Sequence, residues 1–75
     1  MKNEFTSPDF TSGCIEIRID KGEVCVYFNK SGLDRLISLM GEMNGIKNKH
    51  LHLQDYEVLT EKSEKIVLGF FPGGQ

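Results

Sequence analysis

Little in this 75-residue chain announces chemistry. There is no C-x-x-C and no H-E-x-x-H, and Gly13, Gly22, Gly32, Gly41 and Gly45 are too dispersed for a G-x-G-x-x-G or Walker loop. Phosphate cradling and two-histidine zinc chemistry therefore have no motif to stand on. No stretch approaches the ~18 apolar residues of a membrane span, and Lys2 is followed by no apolar signal region. The expectation is a cytoplasmic chain without membrane contact. Neither charge sign dominates: the net charge of −2 argues against nucleic acid, whose binders usually carry a basic patch. Cysteine is scarce too, with only Cys14 and Cys25. In the hairpin derived below they stand about four residues apart along the sheet, roughly 13 Å and too far for a disulfide. Both read as reduced thiols in a reducing compartment.

What is present is a patterned chain that is 39% hydrophobic, enough for one globular domain near the lower size limit. Domains this small often gain stability by oligomerising. Cys14 to Asp20 alternates, with Ile15, Ile17 and Ile19 on one face and Glu16, Arg18 and Asp20 on the other. Lys21-Gly22 is a turn signal, and Glu23 to Phe28 alternates again. A two-residue loop pairs Ile19 with Val24, Ile17 with Val26 and Ile15 with Phe28, which places all six apolar residues together. Asp20 then faces Glu23, a small electrostatic cost.

From Ser31 to Met43 the period changes to that of a helix. Leu33, Leu36, Ile37 and Met40 form its apolar stripe, with Leu39 and Met43 at the margins. Ser31 and Asp34 suit a capping box, Asp34 falls in the first turn, and Asn44-Gly45 is a stop. Gly41 weakens the helix by roughly 1 kcal/mol relative to alanine. Ile46 to Lys49 is a polar connection. His50 to Gln54 returns to strand alternation with Leu51 and Leu53 inward, and Asp55 to Ser63 reads as a polar loop, with Tyr56, Val58 and Leu59 able to extend the strand or pack at its end. Lys65 to Phe71 is a strand with Ile66, Leu68 and Phe70 toward the helix, stopped by Pro72.

The expected fold is α+β: a small antiparallel or mixed four-stranded sheet with one helix on one face, in the order β-β-α-β-β. Residues 14–71 make the domain, 1–13 an irregular arm with Phe5 and Phe10 as possible anchors, and 72–75 a mobile tail. A lone helix covers one sheet face. The other would carry Glu16, Arg18, Cys25, Tyr27, His50, His52, Val67 and Phe71, a mixture more apolar and aromatic than a solvated face needs. Arg18, Cys25, Tyr27, His50, His52 and Phe71 are the candidate partner-binding residues, unless the arm covers them.

Catalysis and metal binding are weaker readings of the same residues. His50 and His52 form an H-x-H pair, with Cys25 or Glu16 as further ligands, but zinc asks for about four ligands, or three plus water. Surface histidines on an amphipathic strand are more often simply polar. A Cys25–histidine nucleophile would need an orienting group and a pocket that a flat open sheet lacks. The acidic residues Asp55, Glu57, Glu61 and Glu64 could block a basic cleft, although mixed charge with Lys62 and Lys65 usually marks a solvated loop. No catalytic residue, metal site or cofactor is expected.

A hairpin, then Gly32-Leu33 opening a helix with Leu36, Ile37 and Met40, then the His50-Leu51-His52-Leu53 strand, resembles the immunity protein 32 family. The likeness covers roughly residues 14–71. Such families are small α+β proteins of bacterial polymorphic-toxin loci. The resemblance implies a non-enzymatic cytoplasmic binder that neutralises a cognate toxin domain, and it carries over no catalytic residue. The reading of a different class is a homodimeric structural or adaptor module with the open sheet face as its seam; a histidine-based metal regulator is the third.

Overall fold

A computed structural model describes residues 7–45 and 47–73. Strand β1 (Ile15–Asp20) and strand β2 (Glu23–Phe28) form an antiparallel hairpin. Helix α1 (Lys30–Met43) follows, then strand β3 (Lys49–His52), a 3₁₀ turn at Leu53–Tyr56, and strand β4 (Val67–Phe70). Phe5, Ile46, Gly74 and Gln75, on which parts of the arm, connection and tail expectations rest, lie outside the described residues.

The hairpin register is the expected one, with Ile15 opposite Phe28, Ile17 opposite Val26, Ile19 opposite Val24 and Asp20 opposite Glu23. Lys21 (φ 53°) and Gly22 (φ 85°) both take left-handed geometry, which matches the turn to the twist of its strands. The four-stranded sheet is not seen. Instead β1–β2 and β3–β4 are separate two-stranded antiparallel sheets.

The reason lies on the second edge of β1, which segment 58–64 occupies, with a turn at Glu61 and Lys62. Val58 O accepts from the N–H of Cys14 (2.8 Å) and Ile15 (2.9 Å), Thr60 N donates to Ile15 O (2.9 Å), and Glu64 N donates to Ile17 O (2.8 Å). The Ser63 hydroxyl accepts from Ile17 N at 2.7 Å. Leu59 makes a parallel bridge to Ile15. The stretch expected to be a solvated loop is thus a backbone strap, with Asp55, Glu57, Glu61 and Glu64 themselves exposed. Gly13 lets the chain before β1 meet this strap, because a Cβ there would stand 2.5 Å from the Leu59 carbonyl carbon.

The helix also differs from expectation in cap and rotation. It starts at Lys30, and Asn29, not Ser31, caps it: Asn29 Oδ1 accepts from Gly32 N at 2.9 Å. Asp34 is outside the first turn and pairs with Lys30 Nζ at 2.9 Å. Gly32 is buried, and a Cβ there would lie 2.1 Å from the Cys14 carbonyl oxygen and 2.8 Å from Phe28 Cβ. That backbone contact sets the inward face. Leu36, Leu39 and Met43 follow Gly32 at helical spacing and turn toward the core, whereas Leu33, Ile37 and Met40 are exposed.

The core gathers Ile15, Ile17, Leu39, Leu53 and Val58, with Leu36, Leu51, Leu59, Ile66 and Leu68 around it. It lies at the β1 side of the hairpin, under the strap, and leaves the β2 side open. The described chain measures 47 × 26 × 18 Å, and its radius of gyration of 14.0 Å exceeds the ~11 Å of a compact domain of this length. Much apolar surface consequently stays in water.

Candidate protein-binding surfaces

The six residues expected on one open sheet face fall into two groups on two sheets. Arg18, Cys25 and Tyr27 share the polar face of β1–β2, with Arg18 opposite Cys25 and its guanidinium carbon 5.1 Å from the centre of the Tyr27 ring. This face is not an open platform. Glu16 is only 2% exposed, because its Oε1 accepts from the Thr60 hydroxyl at 2.7 Å and its Oε2 from Arg18 Nε at 2.6 Å. The Thr60 hydroxyl first, and Arg18 second, hold the Glu16 carboxyl below its ordinary pKa despite burial. Glu16 is therefore a strut between strap and strand, which occupies the carboxylate considered as a metal ligand. The Tyr27 phenol is raised above its ordinary value, chiefly by its hydrogen bond with Cys25. Cys14 and Cys25 are both free thiols.

His50 and His52 lie on β3 of the second sheet, and Phe71 directly follows β4. The two imidazoles meet edge to face with centroids 5.4 Å apart. His52 Nδ1 is 3.3 Å from Gln54 Nε2, and Gln54 Oε1 accepts from Ile66 N at 3.2 Å, so His52 helps fasten the turn after β3. Gly69 stands opposite His50, and the Phe71 ring lies across it, 3.3 Å from where a Cβ would be. Among the described residues no group of three His, Cys, Asp or Glu side chains is placed to hold a metal ion. A depression of about 400 Å³ beside His50, bordered by Glu42, Lys49 and Tyr56, opens broadly to solvent.

The larger apolar surface is one that sequence reasoning assigned to the interior. On the apolar face of the hairpin Ile19 and Val24 are each 62% exposed, and Val26 and Phe28 each 43%. The exposed helix stripe adds Leu33, Ile37 (62%) and Met40. The alternation that identified these residues as apolar-facing was correct. What it could not supply was which side chains the helix turns inward: Leu36, Leu39 and Met43 do, and Leu33, Ile37 and Met40 do not. Gly32 was the available signal, since a glycine early in a helix can mark the face of closest approach.

No helix among the described residues is long and apolar enough to cross a membrane. Comparison with known proteins finds no matching family model, no matching curated protein and no matching solved structure.

Proposed function

We propose that this chain is a non-enzymatic protein-binding module of the immunity type, which neutralises a bacterial toxin domain in the cytoplasm by covering its active site. One observation carries the binding part: the solvent-exposed row Ile19, Val24, Val26 and Phe28, with the stripe Leu33, Ile37 and Met40. This much exposed apolar surface on so small a domain is costly in water unless a partner covers it. Its rim holds both charge signs, with Asp20, Lys21 and Glu23 at the hairpin tip and the exposed Lys30–Asp34 pair beside the helix start. An apolar centre with a polar rim is the usual anatomy of a protein interface. The toxin as occupant is supported by the likeness of the Gly32-Leu33 helix and the His50-Leu51-His52-Leu53 strand to immunity protein 32 sequences.

The contact surface in this reading is the hairpin's apolar face and not the polar face of Arg18, Cys25 and Tyr27. Co-expression with the toxin encoded beside its gene should restore growth. Val26→Asp and Ile37→Asp should each abolish that rescue while circular dichroism stays unchanged. Rescue that survives both substitutions, or the absence of a toxin gene from the neighbourhood, overturns the reading.

A further inference from the structure

The hydrogen-bonding parity of the hairpin carries a more specific consequence. Asn29 N donates to Cys14 O, and Ile15 and Ile17 bond outward to the strap. In an antiparallel ladder this alternation turns the backbone groups of Glu23, Cys25 and Tyr27 toward β1. Those of Val24, Val26 and Phe28 point away from β1, and no described residue pairs with them. Strand β2 is thus an unpaired edge. It lacks the usual protection, with no proline, lysine or bulge among its six residues.

We propose that a second copy of this chain pairs with that edge, β2 against β2 and antiparallel, about a two-fold axis at Val26. This deepens the reading that the surface binds protein, and names one occupant of its edge. The register is self-complementary. Val26 faces its own symmetry mate, Val24 faces Phe28, Cys25 faces Tyr27 and Glu23 faces Asn29, so no like charges are opposed. Outward-pointing backbone groups meet outward-pointing groups at all three positions. Shifting the axis to Cys25 would instead leave Phe28 opposite the turn residue Gly22. The pairing also ends at two copies, because the strap already occupies the outer edge of each β1. The product is a four-stranded sheet, β1-β2-β2-β1, assembled across two chains with one joined apolar row.

Sedimentation of the purified chain tests it, and a dimer that dissociates on dilution is expected. In a Cys14→Ala, Cys25→Ser background, Val26→Cys should convert to a disulfide dimer on oxidation, since hydrogen-bonded positions across a ladder are about 5.5 Å apart at Cα. Val24→Cys, placed opposite Phe28, should cross-link many times more slowly. Val26→Lys should give a folded monomer. A wild-type chain that remains monomeric at every concentration overturns the proposal, as does equal cross-linking at positions 24 and 26. The toxin reading is judged separately by growth rescue, so either idea can fail alone.

Discussion

Strands β1 and β2 are written in nearly the same pattern, three alternating apolar residues each, yet away from the exposed Ile19 at the hairpin tip they end in different environments. Ile15 and Ile17 are 0% and 2% exposed, while Val24 is 62% exposed on the same sheet face. Hydrophobicity does not separate them. What does is the neighbour on the far edge: β1 has the strap 58–64, which brings Val58 and Thr60 with it, and β2 has none among the described residues. A strand is buried by long-range partners, and its own alternation only says which side they will cover.

The sharpest way to break this comparison is to truncate one residue on each strand. Ile17→Ala should lower stability by about 2–5 kcal/mol, a large part of what a domain this size has. At dilutions where the chain is a monomer, its register partner in Val26→Ala should lose less than about 1 kcal/mol, as exposed substitutions do. Equal losses in urea titrations would show that β2 is covered after all.

Next is the strap. Thr60→Val leaves the buried Glu16 carboxylate without its hydroxyl donor and should cost about 1.5–3 kcal/mol. Hydrogen exchange should then quicken at Ile15 and Ile17 more than at Cys25 and Tyr27.

Two glycines of α1 test why the helix turns its stripe away from β2. Gly32→Ala meets the Cys14 carbonyl and should destabilise by about 1–3 kcal/mol, as overpacking does. Gly41 has open space around it, and Gly41→Ala should stabilise by about 1 kcal/mol on thermal melting. A neutral Gly32→Ala would remove the account of the rotation.

The smallest effect is pH. In the folded chain the Glu16 carboxyl lies below the ordinary 4.5, so it adds stability above that value. The contribution is lost as pH falls from the ordinary value through the lowered one. Glu16→Gln should flatten the acid limb of a melting-temperature profile, and an unchanged limb would remove Glu16 from that role.

Much of the secondary structure was legible because its causes are local. The alternation Ile15/Ile17/Ile19 and Val24/Val26/Phe28, joined by Lys21-Gly22, determines the register within a dozen residues. The helix was legible from its period, although Asn29 took the cap expected of Ser31, because the helix starts at Lys30 and Ser31 already lies in its first turn. Strand β4 is shorter than the expected Lys65 to Phe71, since Ile66 is spent on Leu53 and Gln54. The candidate surface was legible in composition but not in place. Residues marked for the interior line the open face, and Glu16, marked for the open face, is buried.

By itself the sequence determined a two-residue hairpin, one helix and two further strand segments, because period and turn chemistry act between near neighbours. Only the tertiary structure decided that 58–64 lies along β1, that Gly32 turns α1, and that β2 keeps a bare edge. Those outcomes depend on groups distant in the chain finding one another, some forty residues apart for the strap, and backbone hydrogen bonds carry no side-chain signature to read.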